Sequence, residues 1–233
     1  MVDTKDHFAK HQKKYKEVIE RGNKYLYKNI REELDKNLQG VVLDIGNGGV
    51  FNYNTKKLKK IIAVDLVFKS LKGLKDTNKI RYIAGDARNL KKIKKNSCNS
   101  VVMQFLLHHI TDADIKKTYK GIEKSLKESQ RVLKKKGELL IIEMVVGPFF
   151  EKLENAFYNL NSFLFSLINK PMITFYSKDS LCGLLKKAGF RKIYTKHIYV
   201  GKYLQPCGGI CPHFIKIPSI FYPMNCYMIK GVK

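Results

Sequence analysis

Apolar positions recur three, four or seven residues apart over residues 5–38, at Phe8, Tyr15, Val18, Ile19, Leu26, Ile30, Leu34 and Leu38. Lysines and glutamates fill the intervening positions, so the spacing predicts an amphipathic helical region that Gly22 divides in two. The stripe is short and has no steady a/d pairing, which favours a helical cap over a coiled coil. From residue 41 the pattern changes to short continuous apolar runs: Val41–Leu43, Ile61–Val64, Ile80–Ala84, Val101–Met103 and Leu139–Ile142. Runs of this kind suit strands buried on both faces, as in a parallel sheet. A helix is predicted over 112–131, with Ile115, Tyr119, Ile122 and Leu126 on one face and Thr111 and Asp114 as an N-cap signature. A second is predicted over 178–188, entered from Ser177 and stopped at Gly189. Two later runs, 192–200 and 226–229, complete the expected sheet.

Strands alternating with helices predict an α/β doubly wound fold, with a mostly parallel seven-stranded, Rossmann-like sheet. The expected division is a helical cap over 1–38 and one domain over 39–233. Within that domain, aromatic-rich insertions occupy 147–176 and 201–224. Composition adds less. The chain has 233 residues, 44% apolar and 28% charged, which is globular. No uncharged run reaches the ~18 residues of a membrane span. The start of the chain has no apolar signal region, and five cysteines do not make a disulfide framework. A cytoplasmic protein is expected. The net charge is +25, but only 6 of 45 basic residues are arginine, the residue suited to reading phosphates and bases bidentately. The lysines are scattered, which disfavours specific nucleic-acid binding without excluding it.

The chemistry concentrates where the first strand, Val41–Ile45, runs into Gly46-Asn47-Gly48-Gly49. Such a turn lets backbone approach a ligand closely. A dinucleotide fingerprint needs a third glycine where Phe51 stands, so NAD and FAD are disfavoured, and there is no P-loop. Asp65 ends the second strand 21 residues after Asp44, and Gly85-Asp86-Ala87 follows the third strand another 21 residues on. The fourth strand leads into Gln104-Phe105-Leu106-Leu107-His108-His109. Arg131-Val132-Leu133 and Gly137 precede the fifth, and Ala188-Gly189-Phe190 closes the series.

In this order and register, over residues 41–190, the landmarks resemble those of the class I S-adenosylmethionine (SAM)-dependent methyltransferases of the "LHH" type. The resemblance implies SAM as cofactor and S-adenosylhomocysteine as product. It implies that Asp44, Gly46, Asn47, Gly48 and Gly49 hold the methionine end and that Asp65, with Leu66 beside it, meets the ribose. Asp86 and Ala87 would meet the adenine, and Gln104 and Phe105 would flank the cofactor. Here the sequence departs from the pattern: the third glycine of motif I is displaced to Gly49. Only 11 residues, Val50–Lys60, most of them polar, then lead to the second strand, so the first crossover helix should be short or irregular.

His109, or else His108, is the candidate general base, at the sheet edge where open α/β folds bind ligands. The bland reading packs both histidines structurally. The fourth strand lacks the N/D-P-P-Y signature of exocyclic-amine methyltransferases. Methyl transfer to an O or C atom of a small, partly apolar molecule is therefore the leading reading. The aromatic insertions would form a lid and pocket, with ordinary core, a dimer interface or peripheral membrane contact as alternatives. An RNA or protein methyltransferase with a basic surface and a non-catalytic SAM-fold protein remain as competing functions. Cys207, Cys211, His213 and Cys226 have partial zinc spacing but no second close pair, so no metal is expected.

Overall fold

The computed structural model describes residues 23–67, 73–204 and 217–233. The five apolar runs form β1 (Val41–Ile45), β2 (Lys60–Asp65), β3 (Ile80–Ala84), β4 (Cys98–Gln104) and β5 (Leu133–Val146). They lie parallel in the order β3-β2-β1-β4-β5. The late runs form β7 (Lys192–Ile198) and β10 (Met224–Val232). β10 inserts antiparallel between β5 and β7, which leaves β7 at the edge. A two-residue strand, β6 (Tyr176–Ser177), adds to the end of β5 and makes eight strands. Its brevity hid it from any periodicity argument. A separate pair, β8 (Tyr203–Leu204) and β9 (Ile217–Pro218), flanks the segment 205–216.

Alternation along each strand sends neighbours to opposite faces, and both faces are apolar. Leu43, Val101, Met103, Leu139 and Ile141 face one core, with Ile122 and Leu126 of α2 (Ile115–Val132) and Leu181 and Leu185 of α5 (Lys178–Lys187). Val42, Ile61, Val102, Leu140 and Ile142 face the other, covered by Leu26, Ile30 and Leu34 of α1 (Lys24–Asn37). Helix α1 therefore realises the second half of the N-terminal stripe. The first half lies outside the described residues.

Three local details differ from expectation or refine it. The cap of α2 is Asp114, whose carboxylate accepts the Lys117 N–H at 2.8 Å. Thr111 instead turns its hydroxyl toward the Met172 carbonyl, so the helix starts one turn later than the signature suggested. The first crossover contains only a single 3-10 turn, Thr55–Lys57, capped by Asn54, as the short polar connection required. β5 begins six residues before Leu139, because Leu133 already pairs with Cys98 before the register shifts.

The order places the site. From β1 the chain steps outward to β2 and β3, then crosses back to β4 on the other side of β1. In an open α/β sheet the ligand crevice lies at such a reversal, outside the carboxyl ends of the strands. Asp44, Asp65 and Gln104 all sit at those ends. After β5 the helices α3 (Pro148–Ala156) and α4 (Tyr158–Leu167) emerge on the same edge. Among the described residues no helix is long and apolar enough to cross a membrane.

Candidate active site

The glycine turn is built by hydrogen bonds that radiate from Asp44 and Asn47. Asp44 is 3% exposed. One of its oxygens accepts the Tyr53 hydroxyl at 2.7 Å and the Asn47 amide at 3.0 Å. Asn47 in turn accepts the Gly49 N–H at 2.8 Å, folding the loop back on itself. Positive φ at Gly46, Gly48 and Gly49 makes this path available at little cost. A Cβ at Gly46 would meet Leu106 Cδ1 at 2.7 Å, so the turn is pressed onto the loop after β4. A Cβ at Gly48 would meet nothing within 4 Å, so the backbone there borders open space.

Asp65 ties β2 to the same turn. One carboxylate oxygen accepts the Gly48 N–H at 2.9 Å and the other the Val67 N–H at 2.8 Å. Each oxygen retains a lone pair for a further donor. Asp44 and Asp65 are close enough to repel one another, but burial is the main reason that Asp44 is pushed up to about 7. Asp86 follows β3, where Gly85 N–H bonds the Asp65 carbonyl at 2.9 Å. Arg88 holds the Asp86 carboxylate through a bidentate contact, with Nη2 to Oδ2 at 2.7 Å and Nε to Oδ1 at 3.1 Å. Burial works to raise this group, but the guanidinium outweighs it and keeps Asp86 below the usual carboxylate range. Ala87 is buried in the core beside it, while Leu66 is 44% exposed at the rim. A cavity of about 350 Å³ lies beside the end of β3, lined by Val64, Ile83, Gly85, Asp86 and the segment 89–93, and neither Asp44, the glycine turn nor Asp65 borders it. That is within the ordinary size of small-molecule sites.

Gln104 ends β4 half-buried, and Phe105 follows with φ of 51°. Left-handed backbone at a bulky residue is strained and persists only where the surroundings impose it. Here the Phe105 N–H reaches across to the Ile142 carbonyl at 2.8 Å, and its ring meets Tyr27 of α1 edge-on. The 3-10 turn Leu107–His109 comes next. His108 Nδ1 lies 2.7 Å from Glu143 Oε1, and Glu143 has no exposed surface. The same carboxylate accepts the Leu107 N–H at 3.1 Å and the Met144 N–H at 3.0 Å. Phe175 stacks on the His108 ring, with centroids 5.5 Å apart, and the His109 ring lies 4.0 Å away.

The structure thus gathers Asp44, Gly46, Asn47, Gly48, Gly49 and Asp65 around one turn. Asp86 and Ala87 sit at the neighbouring strand end, and Gln104, Phe105, His108 and His109 on the far side of β1. Sequence reasoning passed over three participants: Glu143, Tyr53 and Arg88. Glu143 had a signal, since it is the one charge inside an apolar run from Leu139 to Val146. Tyr53 and Arg88 had none beyond proximity. Of the cysteine–histidine candidate, Cys207, Cys211 and His213 lie outside the described residues, and Cys226 is buried in β10. No group of metal-ligating side chains occurs among the described residues.

The donor set fits a cofactor such as SAM. Acidic groups at three adjacent strand ends can accept hydrogen bonds from a ligand, and the open space over Gly48 leaves room for one against the backbone. Comparison with known proteins bears on this directly. Residues 43–141 match a family model described as a methyltransferase domain. No curated protein matches the sequence. One chain of the Haloferax volcanii Trm112 methyltransferase-activator complex superposes with a TM-score of 0.66 at 14% identity, covering 100% of this chain and 98% of that one. A SAM-dependent methyltransferase of Thermotoga maritima gives 0.61 at 20% identity, covering 97% and 98%. One from Archaeoglobus fulgidus gives 0.54 at 14%, covering 89% and 94%. At such identities these likenesses establish the fold. The family match spans the strands that carry the glycine turn and the acids after it, so residues 43–141 are similar to a methyltransferase domain.

Proposed function

We propose that the enzyme methylates an oxygen or carbon atom of a small, partly apolar molecule, with His108 as general base and Glu143 as the group that orients it. The observation that carries this reading is the buried His108–Glu143 contact of 2.7 Å at the carboxyl edge of the sheet. A carboxylate on Nδ1 selects the tautomer with the proton there and leaves Nε2 as the basic nitrogen. It also stabilises the imidazolium formed when Nε2 takes a proton. An oxygen or carbon acid needs such help, whereas an unprotonated amine already carries its nucleophilic pair. This geometry favours His108 over His109, the initial preference.

In the proposed site the Asp44–Asn47 turn receives the methionine end, Asp65 the ribose hydroxyls, and Asp86 with Ala87 the adenine. Leu66, Gln104 and Phe105 would line its faces, and α1, as part of a cap over 1–38, would bound the site through Tyr27. When bound, SAM supplies an electrophilic methyl group. The protein's own work is to hold donor and acceptor in line, exclude water, and accept the acceptor's proton at His108 Nε2. Calorimetry with SAM and S-adenosylhomocysteine should show binding that Asp65→Ala abolishes. Methyl transfer from labelled SAM to a panel of phenols, enolisable ketones, carboxylates and amines should then mark oxygen or carbon. Full binding by Asp65→Ala would overturn the cofactor placement, and label confined to amines would overturn the acceptor class.

A further inference from the structure

The hairpin of α3 and α4 is inside out. On α3 the residues facing solvent are Phe149, Phe150, Leu153 and, at the junction, Phe157, each 43–72% exposed. On α4 they are Leu160, Phe163, Leu164, Leu167 and Ile168, each 48–66% exposed, at the i, i+3, i+4, i+7 spacing of a single helical face. The faces turned toward the body are polar. Glu151 accepts the Tyr119 hydroxyl at 2.8 Å and the Ser180 hydroxyl at 2.7 Å. Glu154 accepts the Phe175 N–H at 3.2 Å. Tyr158 donates to the Asp112 carbonyl at 2.9 Å and lies 2.8 Å from the Thr118 hydroxyl. Rotating α3 to bury its apolar face would strand two carboxylates, and rotating α4 would break the bonds of Tyr158, so the outward orientation is specified by the fold.

At roughly 150–200 Å² per large side chain, half exposed, this face presents on the order of 800 Å². An ordinary monomer's largest apolar patch is ~300–600 Å², so the face is built to be covered. Charge decides by what. The two acids of the hairpin point inward, while Lys152 is exposed and Lys170 half-buried at its margins. The chain carries +25, so a second copy meets it with like charge, whereas an anionic lipid surface meets it with opposite charge. Helices of 9 and 10 residues are each about 15 Å long, half the ~30 Å hydrocarbon core. They can lie in the interface but cannot cross it.

We infer that the α3–α4 hairpin is a docking surface for anionic membranes, seating its aromatic and aliphatic side chains at the headgroup boundary while Lys152 and Lys170 at its margins meet the lipid phosphates. The chain has no tryptophan, so Phe163→Trp introduces a single reporter. With vesicles of phosphatidylcholine containing one-third phosphatidylglycerol, its emission should shift to the blue and the protein should co-sediment. Pure phosphatidylcholine should give a much weaker response, and roughly 0.5 M salt should weaken the anionic one. A Tyr25→Trp reporter, on a 70% exposed residue of α1, should not shift. The double variant Leu164→Asn, Leu167→Asn should bind these vesicles about tenfold more weakly or worse while keeping its affinity for SAM, which shows that it is folded. Absence of sedimentation with either vesicle, or unchanged binding by the double variant, would overturn the inference. So would a stable dimer in light scattering that the same double variant dissolves, because the face would then belong to a second copy.

Discussion

Asp44→Asn should make the protein more stable at alkaline pH and a poorer binder of SAM. The wild-type carboxyl, ordinarily at 3.8, is pushed up to about 7 because burial removes its hydration faster than Tyr53 and Asn47 replace it. Below about pH 4 the group is neutral in both the folded and the unfolded chain. As pH rises from about 4 to about 7 the unfolded chain releases this proton while the folded chain keeps it, so stability falls across that window and levels off above it. At 1.36 kcal/mol for each tenfold change in proton affinity, the full effect is about 4 kcal/mol, an upper value for a site that can relax. An asparagine can present its carbonyl to the same Tyr53 hydroxyl and Asn47 amide, which now sit 2.7 and 3.0 Å from one oxygen, and it has no charge to bury. Urea denaturation at pH 5 and pH 8 should show the variant stabilised by roughly 2–4 kcal/mol more at pH 8 than at pH 5, relative to wild type. Glu154, also raised to about 7 by burial, keeps its own slope in both proteins and cancels in the comparison. In calorimetry, wild-type affinity for SAM should rise between pH 6 and pH 8, as the cation draws the proton from Asp44, and the variant should bind weakly with no such slope. An equal pH dependence of stability in the two proteins would falsify the assignment of the buried charge to Asp44.

Gly48→Ala introduces a methyl group into the open space over the turn at φ of 58°, so it should cost about 1–2 kcal/mol of stability for the left-handed backbone. Its affinity for SAM should drop by at least about tenfold, read by calorimetry, whereas retained affinity would place the cofactor elsewhere. Glu143→Gln turns an amide N–H₂ toward the donors at Leu107, Met144 or His108. It should lower stability by about 1.5–3 kcal/mol in thermal denaturation. It should also reduce kcat and alter the pH dependence of the reaction with little change in SAM affinity, and an unchanged pH profile would reduce Glu143 to a structural brace.

The parallel sheet, its strand ends and the glycine turn were legible from residue order alone, because each rests on local information. Apolar runs such as Val41–Leu43 report strands buried on both faces, and the equal intervals from Asp44 to Asp65 to Asp86 report one β–crossover–β unit after another. Even the poverty of the first crossover, a single 3-10 turn at Thr55–Lys57, followed from its polar composition. The side-chain pairings at the proposed site were not local. His108 and Glu143 are 35 residues apart and meet because β4 and β5 are hydrogen-bonded neighbours. Tyr53 reaches Asp44 only once the loop has folded under the turn. The hairpin shows the division most plainly. Composition marked the segment 147–176 as aromatic-rich but is silent about whether its aromatic side chains point inward or outward. Partners on other elements, Tyr119, Asp112 and Ser180, decided that by holding the polar faces of α3 and α4 against the body, because buried polar groups must be paired and exposed apolar ones need not be.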